Sequence, residues 1–328
     1  MRLRIRLVQA TLALCLGAAA ALIGTAPAQA QDFPARRLTI VVGFPPGAII
    51  DWTARVVGEQ LQKQWGQPVI IDNRVGGGGL VAMQAVTNLP PDGYALVAYA
   101  STQAAIPVFT RPAIDPEKDL VAVTTSGYTA YFLVANGTLP VASLRELAGY
   151  ARANPGKLNI GVSAANSTPE LSAAELQQRL GAPMTLVSYN GAAPAQRAVM
   201  ANETQLWIAS MFGLDDIVKS GKLKVLGVLD DKRFPAYPDV PTFGSAMGQD
   251  LVSVAYLTYQ ARSGTPPAVL EKWYRGIAEV IARPEVGERI RKAGFEPVAL
   301  PQAEAQKMME REYAHAREVA RSVGIQPK

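Results

Sequence analysis

RLTIVVGFPPGAIIDWTARVVGEQL, residues 37–61, carries a strand, a glycine turn and a helix start in succession. RLTIVVGF is an apolar run of the kind found in strands buried on both faces. Beyond it, Ile50, Ala54, Val57, Leu61 and Trp65 fall on one helical face, and Gly66 closes the helix. Such an order sets unpaired helix-start N–H groups beside the turn, a ready anion site. Yet Ile49 and Ile50 stand where a phosphate loop carries Lys and Ser or Thr. Spacing leaves two readings open: a tight turn with Asp51 capping the helix, or donors around Gly47–Ile50 aimed at a ligand oxygen.

Outward from this stretch the alternation continues. PVIIDNR reads as a strand, GGGG (76–79) as a turn, Leu80 to about Thr87 as a helix and ALVAYAS as a third strand. That β-α-β-α-β order implies a parallel sheet with right-handed crossovers. A second series starts at YFLVAN and runs through SLRELAGYARAN, KLNIGVS, NSTPELSAAELQQRLG, MTLVSY, AAPAQRAVMAN, TQLWIAS, LDDIVKSG and KLKVLGVL. Within it, Ser167 and Glu170 have capping-box spacing, and Pro169 suits a first helical turn. SVAYLTYQA, a helix carrying Val269, Trp273, Ile277 and Ile281 on one side, and a last helix from Gln302 to Ser322 form a late return. Two doubly wound units with a return predict two facing lobes. Their ligand loops lie at strand carboxyl ends: Gly47–Asp51, Gly76–Leu80, Ser163–Thr168 and Tyr189–Ala192.

Composition narrows the function. The first thirty residues combine a basic start, an apolar core and Ala28-Gln29-Ala30, so they read as a signal peptide cleaved near Ala30, with a periplasmic mature protein. Arg2, Arg4 and Arg6 leave with it, and the formal charge of +5 falls by three to +2. No basic cluster with interleaved aromatics remains, which argues against nucleic acid. Cys15 is the only cysteine, so the mature chain is expected to lack disulfides and cysteine chemistry. His315 is the only histidine, and neither a metal centre nor another cofactor is expected. No later apolar stretch approaches a membrane span. A chain so poor in catalytic side chains reads as a binder.

The ligand loops carry no Lys or Arg at a helix start, and Arg74 lies on the strand side. GGGG is followed by no Lys-Ser/Thr and lacks the G-x-G-x-x-G spacing, so nucleotide readings are poor. It either lets backbone approach a ligand or makes a turn. SAANST (163–168) offers hydroxyls and an amide, for a ligand or for ordinary capping. Neutral donors at helix starts suit a single carboxylate better than a phosphate. The isoleucines would then face an apolar ligand body.

Several strings resemble the extracytoplasmic receptors of tripartite tricarboxylate transporters, the Bug-type solute-binding proteins. The opening stretch resembles their strand, Pro-Pro-Gly-Gly-x-x-Asp loop and helix. GQPVIIDNRVGGGG and LPPDGYALV resemble the two segments that follow. PGKLNIGVS, Tyr189-Asn190-Gly191-Ala192, SGKLKVLGV, YPDVPTF and SGTPPAV keep the family order. The resemblance implies an α/β fold of type II-like periplasmic binding proteins. Each of its two lobes has a mixed, mainly parallel sheet flanked by helices, with the ligand cleft between them. The lobes would comprise 31–131 with 253–328, and 132–252. It also implies that a monomer delivers a small carboxylate to membrane permease subunits. The ligand contacts carried over are Phe44, Gly47, Ala48, Ile49, Ile50, Asp51, Gly78, Gly79 and Leu80. From the second lobe come Ser163, Asn166, Ser167, Thr168, Tyr189 and Ser210.

Departures from the family pattern sharpen this. Ala48 replaces the usual second Gly, Ile50 the usual Thr and Leu80 the usual Asn, while Ala209-Ser210 stands where many members carry Asp-Asn. Each change removes a polar group or adds apolar volume. The expected ligand is therefore a mono- or dicarboxylate with an aromatic or long apolar body, not citrate or an amino acid. Two alternatives share the chain: a sensor for the same acid, and an exported hydrolase built on His315.

Overall fold

The computed structural model describes residues 33–327; the signal-peptide reading and Cys15 lie outside them. Residues from Arg36 onward form one compact unit. β1 (Leu38–Val42) pairs in parallel with β2 (Val69–Asn73) on one side and β3 (Ala95–Ala100) on the other. α1 (Ile49–Trp65) and α2 (Leu80–Thr87) are the crossovers. α1 buries Ile50, Ala54, Val57 and Leu61, and Gly66 ends it in the left-handed region, as the spacing predicts.

β4 (Leu120–Asn136) was legible only in its second half, because LVAVTTSGYTA lacks an apolar alternation. The structure makes it a 17-residue strand with two register shifts against β9 (Val254–Arg262). Its buried threonine hydroxyls are taken up by the chain segment after residue 293. Thr124, Thr125 and Thr129 donate to the carbonyls of Leu300, Val298 and Gly294 at 2.7, 2.7 and 2.8 Å. Tertiary partners thus turn a polar string into core strand.

After α3 (Leu144–Ala153), the parallel group β5 (Asn159–Val162), β6 (Thr185–Ser188) and β7 (Leu206–Ala209) is connected by α4 (Thr168–Leu180) and α5 (Ala192–Met200). β8 (Leu223–Leu229) lies antiparallel to β4. The chain then returns through β9, α6 (Pro267–Ile281), α7 (Pro284–Lys292) and α8 (Gln302–Ser322). Strand order is β2-β1-β3-β9-β4-β7-β5-β6, with β8 also on β4. The result is a mixed α/β sheet whose outer groups are parallel and whose shared strands, β4 and β9, run antiparallel to their neighbours.

β4 changes partner within one residue step: Ala130 pairs with Val254 of β9, and Tyr131 with Leu229 of β8. Apolar clusters fill both faces of the second group. Phe132 points to one, with Trp207 and Phe234, and Leu133 to the other, with Leu147 and Ile160. A separate cluster holds Val41, Val97 and Tyr99 under Met308, Met309 and Tyr313 of α8. Among the described residues, no helix is long and apolar enough to cross a membrane.

Candidate functional site

The turn after β1 is held shut from within. Asp51, 2% exposed, accepts from the Gly47 N–H at 2.9 Å, from Asn73 Nδ2 at 2.8 Å and from Arg55 Nη2 and Nε at 2.9 and 3.0 Å. Asn73 also donates to the Phe44 carbonyl at 3.0 Å, tying both ends of the turn to β2. Burial pushes the Asp51 carboxyl up, but the bonds from Arg55, Gly47 and Asn73 outweigh it and hold the group below its usual range. Gly47 therefore has no N–H to spare for a ligand, and the Ala48 N–H bonds the Pro45 carbonyl at 3.2 Å. The open donors are those of the first turn of α1, from Ile49 on, where no side chain caps the helix.

Two more helices begin in the same way. Ser167 and Gly191 are the N-caps of α4 and α5, and neither supplies a side-chain cap. The expected capping box is displaced. The Ser167 hydroxyl donates back to the Ala164 carbonyl at 2.7 Å, and Glu170 accepts from the Asn166 N–H at 2.6 Å instead. Asn166 adopts φ 54°, which turns the chain one residue early and draws both groups away from the box geometry.

Ala48, Ser167 and Gly191 all line one cavity of about 1310 Å³, so three uncapped helix starts converge on it. Its floor is the crossing strands, through Tyr131, Ala255 and Leu257. Burial pushes the Tyr131 hydroxyl up to about 12, so it faces the cavity as a neutral donor. Ser163 accepts from the Trp207 indole at 3.1 Å, leaving its own proton for a ligand. Phe44, Ile49, Phe212 and Phe295 give the remaining walls an apolar character.

Of the residues expected from sequence, the cavity gathers Phe44, Gly47, Ala48, Ile49, Ile50, Asp51, Ser163, Ser167 and Ser210. Gly78, Gly79, Leu80, Asn166, Thr168 and Tyr189 are not part of its lining. The glycine run packs behind the site. All of Gly76–Gly79 have positive φ, and a side chain on Gly43 would stand 3.1 Å from the Gly79 Cα. Leu80 joins the core beside Val41 and Met83. The Thr168 hydroxyl donates to the Thr102 carbonyl at 3.3 Å, and Tyr189 packs around Trp207.

Sequence reasoning missed the cations. Arg55 reaches the cavity from the second turn of α1, and Arg289 and Lys292 from α7, a helix that was not expected. Arg289 stacks on Trp52 with its guanidinium carbon 4.2 Å from the ring centroid, and no carboxylate pairs with it among the described residues. Its separation of more than two hundred residues from the turn after β1 hid it. The PEVGERIRK pattern of an amphipathic helix was its only local signal. His315, by contrast, lies in α8 and lines a different cavity, so the hydrolase alternative lacks its base at this site.

Comparison with known proteins yields a consistent set. A sequence model for the tripartite tricarboxylate transporter family receptor matches residues 53–325. Protein BugT of Bordetella pertussis is 31% identical over 276 residues, covering 83% of this chain and 85% of its own. The structure of R. palustris Rpa4515 with adipate is 30% identical, with TM-score 0.78, covering 90% of this chain and 100% of its own. MatC (Rpa3494) from Rhodopseudomonas palustris with bound malate is 26% identical, with TM-score 0.73, covering 88% and 99% respectively.

Proposed function

The chain belongs to the tripartite tricarboxylate transporter receptor family, and on that premise we propose that it captures a dicarboxylate with an apolar body and delivers it to a membrane permease. The family is one of solute receptors rather than enzymes. The observation that carries the reading is the convergence of three uncapped helix starts on a cavity with largely apolar walls. One carboxylate sits among the N–H groups that these helix starts present to the cavity, those of Ile49 and Ile50 on α1, Ser167 at the cap of α4 and Ala192 on α5. The stem lies along Phe44, Ile49 and Phe295, and Arg289 takes the second carboxylate. The solved relatives with adipate and with malate both hold dicarboxylates, which supports that part of the reading. Lobes of 31–131 with 253–328, and of 132–252, close on the ligand in the periplasm, and the protein works as a monomer.

A calorimetric panel tests this. Aliphatic dicarboxylates and aromatic acids should bind, and citrate and glutamate should not; the reverse pattern sinks the proposal. Arg289→Ala should weaken dicarboxylates about tenfold or more, roughly the loss of one charge-assisted bond, while monocarboxylates change little. Equal losses for both would assign Arg289 a packing role only.

A further inference from the structure

The strands that floor the ligand cavity have a second cavity on their other face. Ala255 and Leu257 of β9 look into the first, while Val254 and Tyr256 look into a crevice of about 920 Å³. β4 divides likewise, with Tyr131 on one side and Tyr128 on the other. The far walls of the crevice are α4, α8, residues 230–232 after β8 and residues 249–250.

Its charge is lopsided. Glu175, Asp230, Asp231, Asp250, Glu312 and Glu318 face three fixed cations, Arg179, Lys232 and Arg311, and His315. Arg179 is already engaged by Glu175 Oε1 at 2.7 Å and by Gln249 at 3.1 Å. Lys232 stands 5.2 Å from the Tyr128 ring centroid. Glu175 is 5% exposed, and its Oε2 has no partner. The Glu312 carboxyl makes no hydrogen bond or ion pair among the described residues. Asp230, 4% exposed, accepts from the Tyr128 hydroxyl and from the Asp231 N–H at 2.8 Å, both neutral donors. Tyr128 and Tyr256 lie with centroids 5.0 Å apart, presenting ring faces beside these carboxylates.

Buried carboxylates short of counter-charge, together with aromatic faces, are what an organic cation recognises: ion pairing satisfies the oxygens, and the rings stabilise the alkylammonium. We propose that this rear crevice binds an extended organic cation carrying at least two ammonium groups. The volume suits a linear chain rather than a bare metal ion, and the carboxylates are spread over all four far walls. Without such an occupant, burial pushes Asp230 up to about 7 and Glu312 up to about 8. Cation binding must draw those protons off, so it strengthens as pH rises.

The test is calorimetry on the mature protein with spermidine and, separately, with a tetralysine peptide, in physiological salt. Either probe binding supports the site. Tighter spermidine binding assigns it to a free polyamine, and tighter tetralysine binding to a basic segment of a protein partner. Affinity should rise about tenfold between about pH 6 and pH 8.5, the span of the two titrations. Glu312→Gln, an isosteric change, should cost about tenfold or more at the higher pH, and Asp230→Asn should repeat the loss on an independent wall. Failure of both probes to bind, or unchanged binding in both variants, overturns the proposal.

Discussion

Asp51 spends all its hydrogen-bonding capacity on the loop that carries it, so its role is to shape the anion cradle. Asp51→Ala leaves the Gly47 N–H, Asn73 and Arg55 without their acceptor and should cost about 2–4 kcal/mol in denaturant unfolding. Because the folded-state carboxyl titrates below its usual range, its stabilisation is present above the unfolded-state value and fades as pH falls through the folded one. The Asp51→Ala deficit should therefore shrink in acid, and a constant deficit would refute the linkage. Glu312 has the opposite sign. Its folded value is raised to about 8, so stability is lost as pH rises from the unfolded value through 8. Glu312→Gln should stabilise the protein by about 1–2 kcal/mol at pH 9, after discounting for partial exposure, and by almost nothing at pH 4. Asp51 was readable from its place at a helix start. Glu312 was not, since nothing in EREYAHAREVA marks it, of the three glutamates there, as the one withdrawn from solvent.

At the scale of elements, the strands and helices followed from their periods wherever one face decides burial. α2 and α8 begin and end where the pattern puts them. The first half of β4 and all of α7 escaped because their partners are distant in sequence. Thr125 is buried because the Val298 carbonyl and Leu300 N–H meet its hydroxyl, at 2.7 and 3.2 Å. Thr125→Val should cost about 1–2 kcal/mol and speed amide exchange in residues 294–300 more than in β1. Uniform acceleration across both would place the damage in the strand itself. This segment follows α7, so the same threonines steady the helix that presents Arg289 to the cavity.

For the whole molecule, the partner change at Ala130–Tyr131 of β4 and the entry to β9 near Val254 are where two parallel groups share strands. Bending there would bring the helix starts of α1 and of α4 and α5 together around a bound acid. Small-angle scattering should show the radius of gyration contract when a binding carboxylate is added. An unchanged radius at saturation would count against closure. The sequence by itself determined the α/β order, the four carboxyl-end loops and the neutral, apolar tone of the first of them, because each rests on local period and local residue type. Tertiary structure alone decided which loops share a cavity, that Arg289 joins them, and that a second, acidic crevice lies behind, because these depend on which distant segments the sheet brings face to face.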